Sequence, residues 1–554
     1  MTELRLVPVA AVMWIAVAAL IISALHVLAL GIIVVAVMVA VAFKHWGQGL
    51  VIGAVSLGGV AIAALRMNSA QEFVRPDTWV GTAENIKILD SGDQLISFKV
   101  EGFPALIPVF YSGDLSIEKA SVIAVSGRES PDSFAGIGDL TISTTDIELL
   151  SPATGYSAWV NQVRDGFAQS VETSVGESSR GLIPGMVLGD TRLQGTIESQ
   201  TYIDTGLSHL SAVSGSNVAI VVSSVVVLSY FLTAGPRTRV AASLSALVIF
   251  VSLVGFEPSV LRASVTGIVG LLAIINSSRM EPMHGLCLAV IFLLFYDSNL
   301  AVQYGFLLSC AATAGIVVLN PLLYLALGPP LARWRVPDIV VRALAVSIAA
   351  DLVTIPIIAL MARQVSLVSV LANVLVDIAV PPITLLGLVA VLASLLPWPV
   401  EYVLLKIIEP FTWWIHQVAT WCQQLPNSTV EINAGWLGIA WASVAALWVV
   451  VIIHKGFIRT LLICCALFFL FGMWHGRLPE QMDPTHMRFV IISEESEIPD
   501  VDKGTELIIV KDPKGSMSQR PIVTSEGVPV LYPYRDGEVS IHIDGTQHAA
   551  DGRF

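Results

Sequence analysis

Apolar blocks long enough to cross a bilayer recur along most of this 554-residue chain, and no other feature limits its fold as severely. A hydrocarbon core of ~30 Å takes about 20 apolar residues as a helix, and inside it every backbone polar group needs an internal partner. Such blocks fall near 8–24, 27–43 and 48–65, then near 211–233, 239–255, 259–276, 284–296, 301–327, 338–361 and 366–396, and again near 435–453 and 457–474. With a mean hydropathy of +0.76 and only 13% charged residues, an ordinary soluble protein is excluded. The expected fold is a polytopic α-helical membrane protein of about 10–13 spans.

The apolar run that opens after Arg5 continues to Phe43. A signal-peptide core is about 7–15 residues long, so this run is expected to remain as two spans with a break near His26. Arg5 and Lys44–His45 place the N-terminus and the second loop in the cytoplasm by the positive-inside rule, with Arg66 and Arg75 pulling the other way. On that orientation the segment after residue 66 is extracytoplasmic.

That segment, 67–154, changes period. TWVGTAENIKIL, QLISFKVEGFPALIPVF, SVIAVSGRE and LTISTTDIELL alternate apolar and polar residues between Gly, Asp and Pro punctuation. A small antiparallel sheet or barrel of about five strands is expected, with Phe98, Phe103, Phe110 and Tyr111 filling its core. An oligonucleotide-binding type of barrel is one candidate. Residues 155–205 read as an amphipathic connection, with Trp159, Val163 and Phe167 on one helical face suited to the lipid headgroup region. The block 400–424 is amphipathic and aromatic. If it crosses the membrane, the acidic tail 476–554 lies outside; if it lies on the surface, the tail is cytoplasmic. The Lys/Arg pattern favours the first. Strands are expected in the tail at MRFVIIS, TELIIVK and EVSIHID.

Polar chemistry concentrates where the apolar blocks begin or break. GLSHLSAVSGSNVAI, residues 206–220, carries His209, Ser211, Ser214, Gly215 and Asn217 straight into a membrane helix. Lone polar atoms in hydrocarbon are costly, so the stretch either caps that helix or faces a wet cavity. Arg262, Asp351, Asn373 and Asp377 lie within later apolar blocks, where ionisable groups are functional candidates by default. Asn373 and Asp377 share a helical face, and Pro381–Pro382 must distort or interrupt that helix. The bland alternatives are that Arg262 snorkels, that Asp351 pairs with an arginine such as Arg342, and that Asp377 sits in a loop.

Catalysis finds little support. The chain has no Walker-type loop, no Gly-x-Ser-x-Gly elbow and no zinc spacing among its five cysteines. His542, Asp544 and His548 stand close together in the tail, but a strand and polar turn explain them better than a metal. Neither enzyme activity nor a cofactor is expected. The net charge of −13 argues against a generally basic surface that grips nucleic acid.

Five blocks in fixed order carry a family resemblance: GMVLGDTRL, TGLSHLSAVSGSNVAIV, EPSVLRASVTGIVGLLA, GFLLSCAATAGIVVLNP and QVSLVSVLANVLVDIAVPPITLLG. Together they resemble the competence domain of the ComEC DNA-uptake family, and the N-terminal helices and β segment are similar to that family's N-terminal region. The resemblance implies a channel in the bacterial cytoplasmic membrane that admits single-stranded DNA during natural transformation. It also implies an extracytoplasmic DNA receptor and a cytoplasmic ATP-driven translocase as partners beside the lipid bilayer. Many members end in a metallo-β-lactamase-like domain whose His-x-His-x-Asp-His motif residues 476–554 do not match. Asn217 stands where the family often has His, and Leu307 where Gln is common. The implied organisation is helices in 1–66, the β domain in 67–154, the connection in 155–205, the channel domain in 206–475 and the tail in 476–554. Two other classes stay open: an ion-coupled transporter of a small solute, built on Asp351, Asp377 and the broken helices, and a non-transporting assembly or receptor protein.

Overall fold

The computed structural model describes most of residues 2–431, with 276–280 the longest stretch left out there, together with Ser443 and separate segments between 489 and 549. Contacts divide the chain into one compact unit of residues 1–87 with 94–464 and another of residues 88–93 with 465–554. Apart from Ser443, the expected spans near 435–453 and 457–474 lie outside the described residues, as do His542 and Asp544.

The first unit opens with α1 (Leu6–Ser23), α2 (His26–Ala42) and α3 (Trp46–Glu72). Ala24 adopts a left-handed φ of 55° and closes α1, so the break falls beside His26 as the sequence suggests. Met13, Ala16, Val17 and Leu20 of α1 are fully buried, and Trp14 Nε1 donates to the Ala301 carbonyl at 2.8 Å.

Five strands follow: β1 (Trp79–Ile88), β2 (Gln94–Val100), β3 (Leu106–Tyr111), β4 (Val122–Ser130) and β5 (Thr141–Ser151). They close into a barrel in the order β1-β2-β3-β5-β4. The expectation of a purely antiparallel sheet needs one correction, because β3 pairs parallel with β5. Period-two alternation sends Ile96, Phe98 and Val100 inward from β2, where they meet Ile107, Ile123 and Ile142. Phe98 and Tyr111 fill the core and Phe103 packs against it, but Phe110 faces outward at 37% exposure. Trp79, which the sequence did not single out, is the largest of the fully buried side chains. Closure leaves no free sheet edge for other chains to pair with.

The barrel rests on loops of the same unit. Asn85 Nδ2 donates to Glu257 Oε1 at 3.1 Å, the Ile137 amide to Asn299 Oδ1 at 2.7 Å, and Asn161 Nδ2 to the Lys119 carbonyl at 2.7 Å. Burial, with Arg164 close by, pushes the Lys119 ammonium down to about 8.

The connection holds α4 (Gly155–Ser174), α5 (Glu177–Arg180), α6 (Leu182–Leu188) and α7 (Thr196–Asp204). The expected lipid-facing stripe on α4 is corrected here. Val163 and Phe167 are buried, with 3% and 0% exposure, and of the three only Trp159 is exposed, its ring tilted against that of Tyr156. The apolar face of α4 is spent on protein rather than headgroups, because α6 and three later helices pack on it.

Then come α8 (Gly215–Phe231), α9 (Pro236–Val254), α10 (Pro258–Ile275), α11 (Pro282–Tyr296), α12 (Tyr304–Arg333) and α13 (Asp338–Ala362). Three of them start on proline, whose fixed φ and missing N–H suit the first helical position. A strand β6 (Gln364–Ser366) leads to α14 (Ser369–Val376), α15 (Val380–Ala393) and α16 (Val400–Gln423), and β7 (Thr429–Glu431) returns to pair with β6. Helix α13 continues through Pro356, whereas α14 and α15 meet at a 53° bend. That interruption precedes Pro381–Pro382, which start α15 instead of extending α14.

Five described helices, α1, α3, α9, α12 and α13, are long and apolar enough to cross a membrane, and the α14–α15 pair would make a sixth. Helices α2, α8, α10 and α11 are apolar but shorter. Helix α16 is not among the candidates; its outer face carries Trp413, Trp414 and Trp421.

In the second unit, β8 (Phe489–Ile492), β9 (Leu507–Val510), β10 (Ile522–Val523) and β11 (Pro529–Leu531) form a sheet in the order β10-β11-β9-β8. Strands β12 (Val539–Ile541) and β13 (Gln547–Ala549) make a separate pair. The three strands expected in the tail are all present.

Candidate functional site

The candidate site starts at the C-terminus of α6, where Gly189 takes a φ of +68° that only glycine adopts freely. The turn delivers Asp190 into the interior at 4% exposure. Arg192 grips it through Nε at 2.9 Å and Nη2 at 2.6 Å, and reaches Asp165 at 2.7 Å. Burial alone would raise the Asp190 carboxyl, but the Arg192 hydrogen bonds and the nearby Arg164 outweigh it and hold the group below the usual carboxylate range. Arg164, only 9% exposed, donates through Nη1 to the Leu253 and Leu188 carbonyls at 2.9 and 3.3 Å, at the C-termini of α9 and α6 where a cation is favoured. Sequence reasoning missed all four residues. The Asp-x-Arg spacing after Gly189 was the one available signal.

Helix α7 holds two half-buried carboxylate arrangements. Tyr202 donates to Glu198 Oε1 at 2.9 Å, and burial pushes the Glu198 carboxyl up to about 7. Asp204 accepts from Gln200 at 2.7 Å, Gln364 at 3.2 Å and Gln423 at 3.0 Å, which ties α7 to β6 and to the end of α16.

These contacts anchor the loop 205–214. Gly206 turns with a φ of +72° and lies against Ser369, whose Cβ would stand 2.6 Å from a Cβ at position 206. Ser369 Oγ donates to Asp351 Oδ2 at 2.6 Å. Arg342, the partner suggested for Asp351 by sequence, instead pairs with Asp338 at 2.6 Å. His209 is exposed, with Nδ1 3.2 Å from the Gly206 carbonyl, and Asp377 lies within electrostatic range of it. Asp377 is exposed at the bend after α14, and Asn373 is half-buried one turn earlier. Ser211 Oγ accepts from Gln194 at 2.8 Å.

At the start of α8, Ser214 does not cap the helix; its Oγ lies 2.6 Å from Ser216 Oγ. Asn217 is 3% exposed, donates to the Met186 carbonyl at 2.9 Å and accepts from Thr384 at 3.3 Å, so its amide joins α6, α8 and α15. Gly215 faces the guanidinium of Arg262, which is 7% exposed and donates from Nε to Ser309 Oγ at 2.9 Å. Ser259, at the head of α10, donates to the Val213 carbonyl at 2.8 Å and pins the two helix starts together.

The structure therefore groups the sequence candidates in two places. Gly206, His209, Asp351, Asn373 and Asp377 surround the interrupted helix, and Ser214, Gly215 and Arg262 sit where α8 meets α10. Asn217 touches the second group through Ser214, whose hydroxyl donates to its Oδ1 at 3.4 Å, but its remaining amide bonds go to Met186 and Thr384. Among the described residues no group of three His, Cys, Asp or Glu side chains is placed to hold a metal ion.

A bundle of long apolar helices, one pair of them bent at a break, defines a multi-pass membrane protein. Residues 186–457 match the family described as "Competence protein". The chain is 25% identical over 306 residues to "ComE operon protein 3" of Bacillus subtilis (strain 168), an alignment that covers 54% of this chain. It covers 36% of that relative, so the match spans about a third of its length. No solved structure matches the chain. These findings support an assignment to the ComEC competence family.

Proposed function

We propose that this chain provides the path by which single-stranded DNA crosses the cytoplasmic membrane in natural transformation. The observation that carries the reading is the convergence of a polar loop, residues 205–214, with the interrupted α14–α15 helix and Asp351. Helix breaks at membrane depth are tolerated where they border protein or a wet cavity. A wall of hydroxyls, amides and few charges suits a polymer that has to move, since binding must be weak enough to permit release.

The β1-β2-β3-β5-β4 barrel order supports an oligonucleotide-binding type of domain, and the Lys/Arg distribution supports an extracytoplasmic position for it. An outside DNA receptor and an inside ATP-driven translocase complete the proposed machinery, because the sequence holds no nucleotide-binding loop. One observation favours a second reading. Asp351 has a serine rather than a cation as its partner, beside a broken helix, which suits an ion-coupled transporter of a small solute.

The test is gene deletion in a demonstrably competent strain, followed by uptake of labelled DNA and transformation frequency. Loss of both, restored by the wild-type gene, is expected. Asp351→Asn is expected to lower uptake at least ~10-fold while membrane insertion is retained. Normal transformation in the deletion strain would sink the DNA reading and leave the transporter reading standing.

A further inference from the structure

Arg262 is 7% exposed, yet its guanidinium is only partly used. Nε donates to Ser309, and among the described residues neither terminal nitrogen has a hydrogen-bond partner and no carboxylate pairs with the charge. A buried cation without a counter-charge is unfavourable. Its surroundings make the imbalance worse. Nη2 would stand 2.7 Å from a Cβ on Gly215, the first residue of the 17-residue helix α8, so the guanidinium lies against the positive end of a helix dipole. Gly215 is the residue that permits this approach; any side chain would collide with the guanidinium.

The helix end is open as well. Ser214 occupies the N-cap position, but its hydroxyl lies against Ser216 and, at 3.4 Å, the Asn217 side-chain oxygen, and satisfies no backbone amide; the Asn217 amide bonds the Ser214 carbonyl, which leaves those of Gly215 and Ser216. First-turn N–H groups have no intrahelical acceptor and form a ready anion site when a ligand reaches them. Ser216 is exposed, which leaves the position reachable. Two positive elements facing one another, both with unused donors, are reconciled by an anion between them.

We propose that Arg262 and the N-terminus of α8 bind one phosphate-class anion, with Arg262 Nη1 and Nη2, the first amides of α8 and the Ser214 and Ser216 hydroxyls as donors. The inference rests on the DNA-passage reading only for the source of that anion, one phosphodiester group of a passing strand; a lipid headgroup carries the same chemistry.

The probe is inorganic phosphate, added to the full-length chain in nanodiscs of zwitterionic lipid, with the thermal midpoint read against chloride at matched ionic strength. Wild type is expected to show a saturable upward shift that Arg262→Gln weakens at least tenfold in apparent affinity and Arg262→Lys weakens less. The phosphate-free midpoint of each variant reports folding. No shift in wild type, or the same shift in Arg262→Gln, overturns the proposal. Competition by a short single-stranded oligonucleotide supports the strand as source, whereas competition by phosphatidylglycerol alone overturns that part. Should the phosphate shift persist while the deletion strain transforms normally, the anion site stands and the DNA reading fails.

Discussion

Glu198 shows how one carboxyl can tune the connection that leads into the loop 205–214. Its partner is a neutral phenol, Tyr202, and one oxygen lies over Gly181, so burial dominates and the pKa rises from the ordinary 4.5 to about 7. Between those values the folded chain keeps a proton that the unfolded chain has released. Stability from this group is therefore full below pH ~4.5, falls as pH rises from there to about 7 and then levels off, by a total on the order of 3 kcal/mol. Glu198→Gln is expected to flatten that decline when the thermal midpoint in detergent is followed from pH 5 to 8. Parallel wild-type and variant curves would refute the assignment. Asp190 differs because it has Arg192, and that partnership explains why two carboxyls of one short connection, both raised by burial, end shifted in opposite directions.

Helix pairing in this bundle depends on where small residues fall. In α12, a Cβ on Gly315 would stand 2.7 Å from the Ala349 carbonyl and 2.7 Å from Val353 Cγ2, so α12 and α13 meet at the glycine. Nothing lies within 4 Å of the same position on Gly328 of that helix. Gly315→Ala is expected to cost about 1–3 kcal/mol through overpacking, and Gly328→Ala to be neutral or stabilising by up to ~1 kcal/mol. Thermal melting in detergent measures both, and equal midpoints for the two variants would remove the packing argument. The interruption between α14 and α15 was legible as well. Two adjacent prolines cannot continue a helix, so a new one starts with them near its N-terminus and Asp377 is left exposed at the bend. By contrast, the burial of Val163, Phe167 and Arg164 on α4 was not legible. An amphipathic period identifies an apolar face but not whether lipid or another helix covers it.

At the scale of the whole first unit, the barrel contacts the Gly255–Glu257 and Ser298–Ala301 turns, which mark one end of the bundle. Helix α9, 19 residues long, carries the chain from there to Arg237 and Arg239 about 28 Å away, at the other end. If the barrel is extracytoplasmic, a membrane-impermeant maleimide is expected to label Glu101→Cys in intact cells and Thr238→Cys only after permeabilisation. Labelling in the reverse order would invert the topology. The described native cysteines Cys287, Cys310 and Cys422 are buried, so background labelling from them is low. The sequence by itself determined the membrane class, the strand periods of the barrel and the position of the broken span, because each follows from local hydrophobic pattern or proline chemistry. Only the tertiary structure decided which polar residues meet. Asp351 finds Ser369 rather than Arg342, Asn217 is consumed by α6 and α15, and Arg262 is brought against the bare end of α8. Those pairings join residues up to 167 positions apart, and such long-range partners are set by packing that no local period encodes.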